Sequence, residues 1–181
     1  MSSPESQFDP GNNAPLEKVL IVVSRGSLDG VYPALILANG ARMEGIEASL
    51  FFTFFGLNAL VKKTLGSLKV ATVGNSAMNM AMPMLGMPIT MPFPTMLGSL
   101  PGMSAFATHL MNKKMDELEI PPVEEFLEMI SDAGGKIYGC KLALDMFKLT
   151  KDDLWDRLDG ILTVGDFYKE GSGTRTQILF T

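Results

Sequence analysis

The single cysteine of the chain, Cys140, is the side chain best placed for chemistry. It follows a predicted strand at 136–138 and a glycine, and it precedes a predicted helix at 141–147. A thiol at that point faces unpaired N–H groups and the positive end of the helix dipole, and both favour the reactive thiolate. Lys141 adds a positive charge if its side chain turns toward the sulfur. The same position also suits an inert, buried cysteine, and position alone leaves the two interpretations equal.

Other side chains that could ligate a metal or act as a base near this thiol are few. His109 is the one histidine, and it lies in an apolar stretch bordered by methionines. Nothing in the sequence places it beside Cys140, so we interpret it as a structural or surface residue and not as the base of a Cys/His pair. One cysteine and one histidine exclude an intramolecular disulfide and a Cys/His zinc cluster, and we expect no metal and no cofactor.

Three further loops, at 24–29, 53–56 and 165–168, follow predicted strands. Such loops are where an open α/β sheet binds its ligands. The first begins Ser-Arg-Gly-Ser, which resembles a small anion-binding turn before a helix, although an ordinary turn explains it as well. It lacks the Walker and the Gly-x-Gly-x-x-Gly sequences, so the sequence predicts no nucleotide or dinucleotide site. We expect the crevice beside Cys140 to be lined by Ser24, Arg25, Gly26, Thr53, Phe55, Gly56, Tyr138, Gly139 and Lys141.

Strands and helices must alternate to position these loops. Apolar, β-branched and aromatic runs predict strands at 18–23, 48–55, 136–138, 161–165 and 176–181. Helices are predicted at 30–43, 57–65, 111–118, 123–133, 141–147 and 151–158. The fold class is therefore α/β, a three-layer sandwich with a mostly parallel five-stranded sheet. The Gly-rich link at 166–175 is too short for a convincing crossover helix, which leaves open an antiparallel edge for the last strand.

Composition narrows the class of protein. A length of 181 residues predicts one domain, here 18–181, after a polar, Pro-containing tail at 1–17 that we expect to be flexible. Apolar residues make up 46% and charged residues 19%, which excludes a disordered chain. The net charge of -5 argues against nucleic-acid binding, which needs a basic face. No segment reads as a secretory signal, so we expect a cytoplasmic location.

Methionine is concentrated in one segment. Eight of the 14 methionines lie between Met78 and Met103, inside a Met/Pro-rich insertion at about 75–110. Soft thioethers could bind Cu(I), but no Cys or His lies inside the cluster. Repeated prolines and glycines disfavour a transmembrane helix, although contact with a membrane surface stays open. We favour an adaptable apolar surface for a partner or a second copy, with membrane contact through 78–103 as the next interpretation.

Three segments of the chain resemble a known family. The run Lys18-Val-Leu-Ile-Val-Val-Ser-Arg-Gly-Ser to Asn39, the run Ala48 to Leu57, and the run Pro122 through Tyr138-Gly-Cys140 to Met146 resemble the DsrE/DsrF-like proteins. The resemblance is greatest to their DsrE2-type, or peroxiredoxin-like, branch. It covers roughly 18–181, and Tyr-Gly-Cys is its most specific part.

The resemblance implies sulfur relay, with Cys140 as the acceptor cysteine. Such proteins hold sulfane sulfur as a persulfide or thiosulfonate, receive it from a donor such as thiosulfate or polysulfide, and pass it to a TusA-like carrier protein. The family tends to form homo- or hetero-oligomers, so we expect a homo-oligomer, and a sulfurtransferase activity is implied but open. Some relatives have a second cysteine, which this chain lacks, so sulfur must leave to an external thiol. The alternative is a non-catalytic oligomeric or membrane-associated scaffold that uses the Met-rich surface.

Overall fold

The computed structural model describes residues 15–71, 79–84, 87–92 and 102–181. Its strands are β1 (Lys18–Val23), β2 (Glu47–Phe52), β3 (Asn79–Met84), β4 (Met87–Pro92), β5 (Lys136–Cys140), β6 (Gly160–Leu162) and β7 (Thr176–Phe180). Its helices are α1 (Leu28–Met43), α2 (Met103–Glu117), α3 (Val123–Asp132), α4 (Lys141–Phe147) and α5 (Val164–Glu170). Short 3₁₀ turns cover Phe54–Ala59, Leu65–Ser67 and Lys151–Asp153.

Five strands form one sheet in the order β6-β5-β2-β1-β7, and each neighbouring pair is parallel. All six residues of β1 are buried, as an apolar, β-branched run between two neighbouring strands requires. Because the strands run the same way, the loops after β1, β2 and β5 all leave from one edge of the sheet. The strands β3 and β4 pair with each other as a separate antiparallel hairpin.

Helices cover both faces of this sheet. On one face, α1 and α3 pack together and against β1, β2 and β5. On the other face, Phe167 of α5 stacks on Phe51 of β2 with 4.4 Å between the ring centroids. The predicted α/β fold class is therefore confirmed.

The last strand is parallel, and the antiparallel edge left open by the sequence is wrong. β7 pairs with β1 from Lys18↔Thr176 to Val22↔Phe180. The seven-residue helix α5 makes the return from β6 at one edge of the sheet to β7 at the other. The hydrophobic pattern of this segment does not predict a helix, because Phe167 is the one buried side chain of α5. At the end of α5, a carboxylate oxygen of Glu170 lies 3.3 Å from the Lys18 ammonium, and this ion pair connects α5 to β1.

Several predicted elements have different bounds. The strand predicted at 48–55 ends at Phe52, because the chain turns there into the 3₁₀ segment Phe54–Ala59. The helix predicted at 151–158 is a single 3₁₀ turn, although Thr150 and Asp153 form the reciprocal contacts of a capping box. The helix predicted at 111–118 begins earlier and is α2.

Two expectations concern segments that lie largely outside the described residues. The tail is described only from Pro15, whose carbonyl oxygen accepts a hydrogen bond from the Arg175 guanidinium at 2.8 Å. Of the Met-rich segment, the structure describes the backbone of β3 and β4 and the residues from 102 onward, so the side chains proposed as a partner or membrane surface mostly fall outside it. Within the described ranges, no helix is both long enough and apolar enough to cross a membrane.

The burial of Phe167 between α5 and the sheet predicts that this side chain contributes to stability. Phe167 is 2% exposed, so Phe167→Ala should lower the free energy of unfolding by about 3 kcal/mol through lost burial and the cavity it leaves. Tyr168→Ala, at a neighbouring position that is 60% exposed, is the matched control and should change it by less than about 1 kcal/mol. Urea denaturation measures both. Equal effects of the two changes would contradict this placement of α5.

Candidate functional site

Cys140 ends β5 and stands at the position before α4. Its backbone is extended, with φ -79° and ψ 121°, and the residue is 2% exposed. Phe52 pairs with Gly139, so the next residues, Thr53 and Cys140, leave the sheet side by side from β2 and β5. On its other side, Cys140 pairs with Leu162 of β6. The backbone of Cys140 is thus flanked by the ends of β2 and β6, at the edge where ligands of α/β sheets bind.

Neither Lys141 nor Gly139, the two neighbours of Cys140 in the chain, is directed at the thiol. The Lys141 ammonium lies 3.0 Å from a carboxylate oxygen of Asp145, one turn along α4, so its charge is engaged there. A Cβ added to Gly139 would lie 3.5 Å from side-chain atoms of Leu57 and Leu144. The missing side chain of Gly139 therefore faces the core, on the side opposite Cys140 in an alternating strand.

Two glycines bring the loops after β1 and β2 into contact. A Cβ on Gly26 would lie 2.3 Å from the carbonyl oxygen of Phe55, and one on Gly56 would lie 2.1 Å from that of Val23. The N–H of Gly56 donates to the carbonyl oxygen of Ser24 at 3.0 Å. Backbones can approach this closely only where no side chain intervenes. Gly26 and Gly56 thus fix the turn that follows β2.

That turn presents a group of phenylalanines that the sequence did not predict as a unit. Phe54 has φ +48°, a conformation that is an outlier for a bulky side chain. The ring of Phe55 lies 4.8 Å from that of Phe54 and 5.8 Å from that of Phe147 at the end of α4, centroid to centroid. We call Phe54, Phe55 and Phe147 the aromatic cluster. Of the three, only Phe55 was among the predicted site residues. The run Phe51-Phe-Thr-Phe-Phe, longer than its strand, is the signal that could have revealed the cluster.

The side chains of Ser24 and Arg25 face the end of β7, although the Ser24 carbonyl oxygen contacts the loop after β2. The Ser24 hydroxyl donates to the carbonyl oxygen of Thr181 at 2.8 Å. Both residues line a cleft of about 360 Å³ together with Phe180 and Thr181. Because β2 stands between β1 and β5, the structure groups Thr53 and Cys140 together and turns Ser24 and Arg25 toward β7.

Tyr138 points to the same face as Cys140, because it precedes it by two residues in β5. Burial, together with the nearby negative charge of Glu170, raises the pKa of Tyr138 to about 12. The phenol is therefore neutral at physiological pH and acts as part of the packing beside the thiol.

His109 lies exposed on α2. In the part of the chain that the structure describes, no three His, Cys, Asp or Glu side chains gather in a group that could hold a metal ion.

Most of the chain matches a known protein family. Residues 15–179 match the DsrE/DsrF/DrsH-like family. The chain belongs to that family. The match covers Cys140 together with the loops after β1, β2 and β5, so the family assignment includes the whole candidate site.

The chain is also similar to two individual relatives and to one solved structure. It is 36% identical to "Sulfur carrier protein DsrE2" of Allochromatium vinosum over 143 residues, 79% of this chain and 86% of the relative. It is 25% identical over 143 residues to "Uncharacterized protein YrkE" of Bacillus subtilis, 79% of this chain and 84% of that one. The crystal structure of the ychN protein from E. coli matches with a TM-score of 0.52 at 14% identity, over 92% of this chain and all of that one, which supports the fold.

The contact between the two loops predicts that Gly56 is intolerant of substitution. Gly56→Ala should lower the free energy of unfolding by about 2 kcal/mol, because its Cβ would lie 2.1 Å from a backbone oxygen. Gly40→Ala is the control, since a Cβ there meets nothing within 4 Å in the interior of α1. It should raise the free energy of unfolding by about 0.5 to 1 kcal/mol. Chemical denaturation measures both, and a neutral Gly56→Ala would contradict the contact.

The environment of Tyr138 predicts a loss of stability in alkali. Its pKa rises from 10.0 in the unfolded chain to about 12 in the folded one. The contribution of the Tyr138 phenol to the free energy of unfolding is therefore complete below pH 10. It is lost as the pH rises toward 12, because the unfolded chain releases the phenol proton at a lower pH than the folded chain does. Between pH 8 and about pH 11, urea denaturation should show a larger drop for the wild type than for Tyr138→Phe. Equal drops in the two proteins would contradict the buried, neutral phenol.

Proposed function

We propose that this protein is a sulfur carrier that holds sulfane sulfur on Cys140 as a persulfide and passes it to an external thiol. The observation that carries the proposal is the 36% identity, over most of both chains, to a protein named as a sulfur carrier. Cys140 is the chain's one thiol, so it is the one side chain that can hold sulfur in this way. Its position at the carboxyl end of β5, next to the loop after β2, supports the assignment.

Loading is a nucleophilic displacement on a sulfane sulfur. The Cys140 thiolate attacks the terminal sulfur of a polysulfide, a new S–S bond forms, and the donor's S–S bond breaks. The electron pair of that bond leaves with the shortened polysulfide. With thiosulfate as the donor, sulfite leaves instead. Cys140 precedes the first N–H groups of α4, which have no partner within the helix.

Unloading repeats the same chemistry with a second molecule. An acceptor thiolate attacks the outer sulfur, the Cys140–sulfur bond breaks, and Cys140 leaves as a thiolate. No second cysteine of this chain can carry out that attack, because none exists. We therefore propose a TusA-like carrier protein as the acceptor, thiosulfate or polysulfide as the donor, and a homo-oligomer as the working form, as the family resemblance implies.

Burial of the thiol sets a condition on both steps. Cys140 is 2% exposed, so donor and acceptor reach the sulfur after local movement of the structure around it. Small donors need less of this movement than a bulky alkylating reagent does. A persulfide held in such a place is shielded from bulk solvent between loading and transfer.

Intact-protein mass spectrometry after incubation with polysulfide tests the proposal. We expect the wild type to gain the mass of one sulfur atom and to lose it on addition of dithiothreitol. Cys140→Ser keeps a similar shape and should gain nothing. Tyr138→Phe, beside the thiol, is a control that should load like the wild type.

Two results would contradict this function. One is a wild type that gains no sulfur from either polysulfide or thiosulfate while its fold is intact. The other is an equal gain on Cys140→Ser, since sulfur would then be held elsewhere.

A further inference from the structure

We propose that α5 is a lid over the Cys140 thiol, and that it moves aside to admit the sulfur donor and the acceptor. This inference rests on the proposed function and names the element that controls access to its site. The thiol is 2% exposed, so part of the structure must move before another molecule reaches the sulfur. The alternation of side chains in β5 and the path of the chain after β6 identify that part as α5.

The side chain of Cys140 lies on the face of the sheet that α5 covers. Successive side chains of a strand alternate between its two faces, so Tyr138 and Cys140 of β5 share one face. Tyr138 pairs in register with Phe51 of β2, and the Phe51 ring stacks on Phe167 of α5. In-register partners of neighbouring strands point to the same face. Cys140 and α5 are therefore on the same side of the sheet.

The path of α5 crosses β5 on this face. Leu162, the last residue of β6, pairs with Cys140, and α5 begins two residues later. Phe167, in the middle of α5, already lies on Phe51 of β2. Because β5 stands between β6 and β2, the first half of α5 passes over β5 to reach that position. It starts from the strand end that is paired with Cys140.

Few contacts hold α5 on the sheet. Phe167 is the one buried side chain among its seven residues, and the adjacent Tyr168 is 60% exposed. At the end of α5, the Glu170 carboxylate lies 3.3 Å from the Lys18 ammonium, and its charge also acts on Tyr138 of β5. A helix with so little buried apolar surface separates from the sheet at a lower cost in free energy than the rest of the fold.

The opposite route to the thiol passes through the core. On the other face of β5, the position of Gly139 is surrounded by Leu57, Leu144 and Leu154. These three side chains are between 0% and 4% exposed. Opening the structure there would separate well-packed apolar side chains and would approach global unfolding. Movement of α5 is the less costly way to expose the sulfur.

The rate at which iodoacetamide alkylates Cys140 tests the lid without any sulfur transfer. Cys140 is the one thiol of the chain, so intact mass reports its alkylation directly. Phe167→Leu shortens the one buried side chain of α5 and should raise the rate about tenfold. Glu170→Gln removes the ion pair with Lys18 and should raise it about two- to threefold. The rate of loading with polysulfide should rise in the same order.

Each change has a matched control outside α5. Glu47→Gln removes the other carboxylate beside Lys18, at 3.4 Å, but Glu47 belongs to β2. Phe126→Leu shortens a side chain that is 6% exposed on α3, at the opposite face of the sheet. Both controls should change the alkylation rate by less than about twofold, because they leave α5 in place. Urea denaturation confirms that every variant is folded under the conditions of the assay.

Two results would overturn the lid. Equal acceleration by Phe126→Leu would show that the thiol is reached through general loosening of the fold. Unchanged alkylation of both Phe167→Leu and Glu170→Gln would show that it is reached without movement of α5. Failure of the proposed function gives a different result: faster alkylation of the two α5 variants, with no sulfur gained from polysulfide, retains the lid and overturns the sulfur carrier.

Discussion

The strand β2 lies between β1 and β5, and its residues pair in parallel with both neighbours. This arrangement determines where the loops of the site leave the sheet. Parallel pairing brings three strand ends to one edge, and the register sets Thr53 beside Cys140. The loop after β1 then crosses the turn after β2 at Gly26 and Gly56, where no side chain fits between the backbones. Thiol, turn and aromatic cluster are positioned together by this one set of pairings.

The result is a buried nucleophile next to an exposed apolar surface. Cys140 is 2% exposed, whereas Phe54 and Phe55 in the turn after β2 are about half exposed. The single cysteine adds a chemical requirement, since sulfur received on it can leave only to another molecule. The pair Lys141–Asp145 shows that charge beside the thiol is balanced within α4.

Much of this arrangement could be predicted from the sequence. The buried run at 18–23, the helix after it and the strand–cysteine–helix order around Cys140 follow from periodicity and length, and the structure confirms those elements. The crossover helix α5 could not, because one buried phenylalanine in seven residues gives no helical pattern. The phenylalanine run at 51–55 is a signal for the aromatic cluster, but its geometry could not be predicted, because the positive φ of Phe54 depends on contacts between loops that are distant in the chain. The side on which Ser24 and Arg25 face depends on strand order, which local patterns do not encode.

We propose that Cys140 carries sulfur in the working protein. The most direct measurement is made on cells that produce the chain, lysed into an alkylating reagent so that thiols and persulfides are trapped at once. The protein is then purified and digested, and the peptide that contains Cys140 is analysed by mass spectrometry. We expect a fraction of that peptide to carry an additional sulfur between Cys140 and the alkyl group, which dithiothreitol releases. Finding the alkyl group bound directly to Cys140 in all of the peptide, in cells supplied with thiosulfate, would contradict it.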